Sequence, residues 1–379
     1  MKVLHVTPSI ARAYGGPTYS LAGFARSAIG EGAEVAVAAP APTAGDKWLS
    51  NMIPEAPVYT FRTYGRGAFL ASSDLQGWLR RNGGRFDVVH IHGLLNPVSS
   101  LAARTCVRNR WPVVIRPFGT LSRYTYAHRR GTLKQLYRWL IDRPNLERVS
   151  AVHFTTTVER TESAWQNIEW GTRACVIPPA WLESASNGSE RPTATDTQTV
   201  LFLSRLHPVK RVEQLLDAWP AVRQQHPDAR LVIAGDGEPA YAAQLRARAE
   251  SLGGSVTFAG HVEGDAKRAL LQGARIFVLP SLHENFGIAV LEAIAGGLPV
   301  VVSPEVQLSS FVSEHSLGVV TDVSPTALAN AIGSALEDRV MRERCRKQGP
   351  ALVSRYFSPH AIGTQLLDMY RYATSHPPA

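Results

Sequence analysis

Three short stretches of this 379-residue chain combine charge, glycine and turn-forming residues in ways that suit a phosphorylated ligand. The longest is His283-Glu284-Asn285-Phe286-Gly287-Ile288-Ala289-Val290-Leu291-Glu292, after an apolar run at 276–279 and a turn at Pro280-Ser281. The pattern predicts a strand, a loop, and a helix that opens around Phe286-Gly287 and ends at Gly296-Gly297. A helix opening straight after a parallel strand offers unpaired backbone N–H groups and the positive end of its dipole, which is a phosphate site. Glu284 in the loop and Glu292 about one turn inside would repel a phosphate, so they make sense only as contacts to another part of the ligand. A carboxylate has two acceptor oxygens and matches a vicinal diol. A sugar on one side of a diphosphate and a ribose on the other supply such diols. The plainer reading is a solvated Glu pair on an amphipathic helix.

The second stretch, Arg205-Leu206-His207-Pro208-Val209-Lys210-Arg211, joins a strand at 200–204 to a helix at 212–219. An Arg fork and a Lys point charge beside a helix start neutralise a diphosphate without a metal; an isolated pair of this kind is otherwise a solvated basic loop. The third is Tyr14-Gly15-Gly16-Pro17, behind the first strand. Adjacent glycines let backbone approach a ligand closely and Pro17 suits the first helical position, although a plain strand-to-helix turn has the same composition. No Asp-x-Asp spacing offers magnesium or manganese a seat beside the diphosphate.

These loops need elements to hold them, and the apolar rhythm supplies candidates. Short runs at 3–6, 34–38, 86–90, 113–116, 151–155 and 174–177 alternate with helix-length segments such as 18–29. The rhythm resumes at 200–204, 231–234, 256–259, 276–279, 300–303 and 318–321. Such alternation predicts βαβ units and parallel sheets, and a dozen strands fit two sheets of about six better than one. Residues 183–198 carry no large apolar side chain and read as an exposed linker. The expected division is therefore 1–182, linker 183–198 and 199–357, with a tail at 358–379 that holds one more helix at 359–374. Ligands of such folds sit at strand ends and in clefts between domains.

Composition narrows the class. The chain is 45% hydrophobic and 19% charged, which excludes a disordered or fibrous protein. No stretch approaches 18 consecutive apolar residues, and the short strand-like opening run leads to the expectation of no secretory signal. Cys106, Cys175 and Cys345 are too few and too scattered for a disulfide framework or zinc knuckle, so a cytoplasmic location is expected. The net charge of +9 calls for an anionic partner.

Taken together, Glu284 with Glu292, Arg205 with Lys210, and Gly15-Gly16 stand in the order and half-positions of the retaining glycosyltransferases of family 4. The sequence resembles that family over nearly its whole length, most strongly at 200–303. Phe86-Asp87-Val88-Val89-His90-Ile91-His92-Gly93, Leu231-Val232-Ile233-Ala234-Gly235-Asp236-Gly237 and Val256-Thr257-Phe258-Ala259-Gly260-His261-Val262 add to the likeness. The resemblance implies the α/β GT-B fold: two Rossmann-like parallel-sheet domains facing across a cleft, with the C-terminal helix crossing back to the N-terminal domain. It implies an acceptor-binding N-terminal domain and a C-terminal domain holding a UDP- or GDP-linked sugar, with no cofactor and no metal. By position, Glu284 would bind the donor sugar's hydroxyls, and the backbone of Asn285, Phe286, Gly287, Ile288 and Ala289 the sugar and phosphates. Arg205 and Lys210 would stabilise the leaving diphosphate, Glu292 would take the ribose, His261 and Val262 would face the base, and Gly15 and Gly16 would cover the diphosphate. The acceptor would be a hydroxyl of a glycan or lipid-linked glycan, in polysaccharide or glycolipid synthesis. Tyr14, His92, Arg116 and His128 are the acceptor-side candidates.

Three positions depart from the family pattern. Phe118 stands where many relatives carry a sugar-contacting His, with Arg116 or His128 as substitutes; Arg211 replaces a glycine; and Pro179-Ala180 replaces Asn-Gly. Other readings stay open. A nucleotide-sugar epimerase shares the fold. Gly235-Asp236-Gly237-Glu238-Pro239-Ala240 matches a nicotinamide-binding fingerprint but lacks its acidic partner at the end of the next strand. A nucleic-acid binder is motivated by charge alone, with no recognition motif, and no nucleic-acid partner is expected. Residues 104–148 carry eleven basic against two acidic residues, with aromatics interleaved. Within them, 132–143 reads as a helix with Leu133, Leu136, Tyr137, Leu140 and Ile141 on one stripe and Lys134 and Arg138 off it. That stripe packs either on its own sheet or on an anionic membrane surface, which would make the enzyme peripheral. Oligomeric state is not encoded legibly.

Overall fold

The structure is a computed structural model that describes residues 1–42, 46–65, 70–123, 125, 131–182 and 198–378. The chain folds into two compact units: Met1–Leu182 with Phe357–Ala379, and Glu183–Tyr356. Residues 183–197 of the expected linker, and His128, lie outside the described residues.

The first unit is built on seven strands, Lys2–Val6 (β1), Glu34–Pro40 (β2), Val58–Phe61 (β3), Val88–His92 (β4), Val113–Arg116 (β5), Ala151–Phe154 (β6) and Ala174–Val176 (β7). All pair in parallel, in the order β3-β2-β1-β4-β5-β6-β7. Both faces are covered, which is why the central strands read as continuous Val and Ile runs rather than as an alternation. Edge strand β3 has no such signature in the sequence for the opposite reason: its residues are half-buried or exposed, with Tyr59 on the surface.

Helix Gly16–Gly30 and the terminal helix Pro359–Ser375 close one face, burying Phe24, Leu366 and Tyr370. The expected helix of the tail thus returns to the N-terminal unit. Ser358 caps it by accepting from Ala361 N at 3.2 Å, with Pro359 at its first position. Each fully buried large apolar side chain of this kind contributes roughly 1.5–3 kcal/mol. Helices Ser73–Asn82 and Pro97–Arg108 close the other face, capped by Ser72 and Asn96.

The segment expected as one helix at 132–143 is broken in three. An α-helix at Gly131–Tyr137 widens into a π-turn at Arg138–Asp142 and resumes at Arg143–Leu146. The extra residue of the wide turn brings Asp142 inward. Its carboxylate accepts from Leu95 N at 2.9 Å and from the Ser100 hydroxyl at 2.5 Å, and burial pushes its pKa up to about 6. Tyr137 donates to Ser100 Oγ at 3.1 Å and Asn145 to Ser100 O at 3.1 Å. The helix is thus moored by polar side chains, and the stripe does not pack on the sheet: Leu133, Leu136 and Leu140 are 45, 52 and 53% exposed.

The second unit carries six parallel strands, Thr199–Leu203 (β8), Arg230–Ala234 (β9), Val256–Gly260 (β10), Ile276–Leu279 (β11), Val300–Val302 (β12) and Gly318–Val320 (β13), in the order β10-β9-β8-β11-β12-β13. Strand order reverses between β8 and β11, as in doubly wound nucleotide-binding sheets.

Candidate active site

The predicted residues of the second unit gather at the carboxyl ends of its strands. Arg205 follows β8, Gly235 follows β9, His261 follows β10, and the 283–292 segment follows β11. After β8 the chain makes a tight turn at Pro208–Lys210, with His207 Nδ1 accepting from Val209 N at 3.2 Å, and Arg211 in the left-handed region at φ +55°. The family's usual glycine there has its physical reason in that φ, and Arg211 adopts it nonetheless. The turn folds Lys210 inward, leaving its side chain 9% exposed, where it donates to Glu284 Oε2. Leu282 N donates to Val209 O at 2.8 Å, fastening the two loops, and Glu284 N to Glu305 O at 3.3 Å ties the second to the segment after β12.

The helix after β11 begins at Ile288, one or two residues later than the spacing suggests, because Gly287 sits at φ +94° as its N-cap. A side chain at Gly287 would be strained by that φ and would press within 3.2 Å of Val306 Cγ1. The first amide to bond back into the turn is that of Val290, to Gly287 O at 2.8 Å. The N–H groups of Ile288 and Ala289 therefore stand at the open helix end. Asn285 lies beside them with Oδ1 and Nδ2 buried and unpartnered in the structure. Buried polar atoms left unpaired cost about 1–3 kcal/mol each, so a buried, unpaired amide at an open helix end points to a ligand. Phe286 is buried and walls this corner.

Glu292, one turn into the helix, accepts from Lys267 Nζ at 2.5 Å. Two carboxylates thus each carry a lysine partner, Lys210 on Glu284 and Lys267 on Glu292. Sequence reasoning misses Lys267; its helix, Gly264–Gly273, is amphipathic and gives a lone lysine no distinguishing pattern. It also passes over His283, adjoining Glu284; burial lowers that residue's pKa, against an opposing pull from Glu284. Arg205 is exposed and forms no ion pair among the described residues, so its charge is available to a ligand. His261 is exposed and pairs with Glu263 at 3.0 Å, with Val262 half-buried beside it.

The Gly235-Asp236-Gly237 turn has a packing explanation. A Cβ at Gly235 would fall 1.9 Å from Ser204 O and one at Gly237 2.0 Å from Leu206 O. The glycines are required by the β8 loop, and Glu238 caps the next helix by accepting from Ala240 and Tyr241 N. That account removes the motivation for a nicotinamide site.

In the first unit, Gly15 lies at φ +74° ahead of helix Gly16–Gly30, and a Cβ on Gly15 or Gly16 would meet nothing within 4 Å. Tyr14 beside them is 49% exposed. Two acceptor-side candidates are placed otherwise than expected. Arg116 is 1% exposed, with Nη1 donating to Ser20 Oγ at 3.0 Å, Nη2 to Thr155 Oγ1 at 3.3 Å, and its guanidinium against the rings of Phe24 and Phe118. Burial draws its pKa down to about 9, while Glu159 pulls it back up. Its two Nη groups are engaged inside the fold while Nε is buried without a partner, and Phe118, at φ +59°, stacks on the guanidinium at 4.4 Å. His92 is buried as well, its Nε2 2.8 Å from His5 Nδ1.

His5, His90 and His92 are the one grouping among the described residues whose donor atoms approach as metal ligands do. His90 lies 2.9 Å from Tyr370 Oη and 3.2 Å from His153, which in turn reaches Ile177 O at 2.7 Å. Burial, followed by neighbouring charges, lowers the pKa of all four imidazoles, so they are neutral at pH 7. The Arg116 charge acts on them too, and opposes a dication there.

A doubly wound sheet with a Lys–Glu pair and an open helix end at its strand ends has the makings of a ligand-binding site. Comparison with known proteins makes the assignment. Residues 187–351 match the family of glycosyl transferases group 1, and residues 15–180 match the glycosyl transferase 4-like domain. The chain is 30% identical over 303 residues to phosphatidyl-myo-inositol mannosyltransferase of Mycobacterium tuberculosis, covering 77% of this chain and 75% of that one. It is 29% identical over 301 residues to GDP-mannose:cellobiosyl-diphosphopolyprenol alpha-mannosyltransferase of Xanthomonas oryzae, at 77% and 75% coverage. Among solved structures, Anabaena HepE in complex with UDP superposes with a TM-score of 0.76 at 20% identity, covering 98% of this chain and 100% of that one. The chain belongs to the group 1, family 4 glycosyltransferases and has the GT-B fold.

Proposed function

We propose that this glycosyltransferase moves a mannosyl residue, with retention, from GDP-mannose to a hydroxyl of a lipid-linked acceptor, without a metal. The donor and acceptor classes rest on the two relatives above, whose names specify a phosphatidyl-myo-inositol mannosyltransferase and mannosyl transfer from GDP-mannose to cellobiosyl-diphosphopolyprenol. The observation that carries the site is Lys210, buried and bonded to Glu284 beside the unpartnered Asn285 at the open end of helix Ile288–Ala295.

In this reading Glu284 accepts from the sugar's hydroxyls, and the Ile288 and Ala289 amides with Asn285 receive the sugar and diphosphate. Arg205 and Lys210 take up the charge that grows on the departing diphosphate, the main source of acceleration in such a site. Glu292, oriented by Lys267, takes the ribose diol, and backbone at His261 and Val262 faces the base. Residues 1–182 hold the acceptor and 199–357 the donor, with Tyr14 on the acceptor side. Retention follows if the acceptor oxygen attacks from the face the diphosphate leaves, its proton passing to a phosphate oxygen. Donor hydrolysis across a panel of UDP- and GDP-sugars is the test: GDP-mannose should be cleaved fastest, and its absence from the substrates would remove the reading.

A further inference from the structure

The first unit carries a surface that the transfer chemistry does not use. On the segment 131–146, Leu133, Leu136, Trp139 and Leu140 are 45–59% exposed, an apolar ridge of four large side chains. Monomeric domains rarely leave such a ridge bare without a use for it. The ridge lies along helix Pro97–Arg108, joined to it through Tyr137 and Asn145 on Ser100. The next residue of that helix, Leu101, is itself exposed and lines a groove towards helix Ser73–Asn82. The other groove residues include Arg80, Arg104, Arg108, Thr105 and Gln76, and no carboxylate. None of the three arginines forms an ion pair within the described residues, unlike Arg143, which is held by Glu147 at 2.7 Å.

The cations expected to flank the stripe are half-buried. Lys134 donates to Thr125 O at 2.7 Å, and Arg138 turns inward over Trp165. The free positive charge is one helix further on, in the groove.

We infer that ridge and groove together seat this unit on an anionic bilayer: Leu133, Leu136, Trp139 and Leu140 enter the interface, and Arg80, Arg104 and Arg108 hold the phosphates of anionic lipid headgroups. The occupant follows from complementarity. Three unpaired guanidiniums beside exposed leucines and a tryptophan match a phosphate with acyl chains behind it, since guanidinium forks suit phosphate and tryptophan suits the headgroup level. A nucleic acid would use the arginines and leave the leucines in water. The inference extends the lipid-linked acceptor proposed above, and its test does not depend on sugar transfer.

Cosedimentation of the full chain with phosphatidylcholine vesicles, with and without a quarter phosphatidylglycerol, tests it. Binding should require phosphatidylglycerol and fall as salt rises. At about 1 kcal/mol per cation, the triple variant Arg80→Gln, Arg104→Gln, Arg108→Gln should bind on the order of 100-fold more weakly. Leu136→Ser with Trp139→Ser should also abolish sedimentation, and Trp139→Phe should lower quenching by brominated lipid. Both sets should keep wild-type donor hydrolysis and melting temperature. Equal binding to neutral and anionic vesicles, an unaffected arginine triple, or tighter binding to an RNA or DNA oligonucleotide than to vesicles would overturn the inference. Loss of donor hydrolysis in the unmutated protein would instead indict the assigned activity.

Discussion

The Lys210–Glu284 pair can be separated into its structural and chemical parts. Breaking a fully buried ion pair from one side costs about 3–5 kcal/mol, because the remaining charge is left uncompensated. Here the two side chains are 9 and 20% exposed, and partial solvation of the carboxylate reduces the figure to about 2 kcal/mol for Lys210→Met or Glu284→Leu alone. For a unit of this size that lowers Tm by roughly 4–8 °C. The double variant removes both charges and replaces them with apolar side chains of similar volume, so it should melt within about 2 °C of wild type. Donor hydrolysis should be lost in all three, since Glu284→Leu removes the partner of the sugar hydroxyls, Lys210→Met that of the leaving diphosphate, and the double variant both. Calorimetry of the full chain, with hydrolysis assayed on the same preparations, gives both readouts. Singles that melt like wild type would refute the burial argument. A double variant that regains turnover along with stability would refute the chemical role.

Arg205→Ala should lower kcat about 100-fold, as the loss of one transition-state donor does, while leaving Tm unchanged because Arg205 is exposed and outside any ion pair of the described residues; a large Tm shift would contradict that. Gly287→Ala forces a side chain into φ +94° against Val306 and should cost about 1–3 kcal/mol in thermal stability. Turnover should survive excess EDTA, and strict dependence on added manganese would mean that Arg205 and Lys210 do not stabilise the leaving group. Asp142 has a folded pKa near 6 against about 4 unfolded, so the folded state holds the extra proton between these values, and stability falls as pH rises through that window. Asp142→Asn can still accept from Leu95 and meet Ser100, so its Tm should lose that share of the pH 4–6 slope relative to wild type.

What is legible in the sequence follows from how each feature is encoded. Strands buried on both faces, such as Val113–Arg116 and Ile276–Leu279, advertise themselves as Val and Ile runs, and the pattern places them to within a residue or two. The half-exposed edge strand Val58–Phe61 carries no such run. The loop after Ile276–Leu279 is readable because Gly287 and the two glutamates stand at a telling spacing between a strand and a helix start. The pairing of each glutamate with its lysine is set by folding alone, Lys267 coming from a helix 25 residues away. The amphipathic period at 132–143 is real but its direction is not encoded: a π-turn moored by Asp142, Tyr137 and Asn145 sets which side faces inward. Arg116 is a candidate because it stands near the place of the family's sugar-contacting histidine, whereas here Ser20, Thr155 and two aromatic rings enclose it.

The central claim is that the carboxyl edge of the second sheet holds a nucleotide sugar through Glu284 and its neighbours. The most direct test is hydrolysis of GDP-mannose in excess EDTA, followed by NMR of the released sugar, for wild type and Glu284→Ala. The account predicts GDP together with mannose released first as the α-anomer by wild type, and turnover reduced at least 100-fold in the variant. Equal turnover by the two proteins, or mannose released first as the β-anomer, would contradict it.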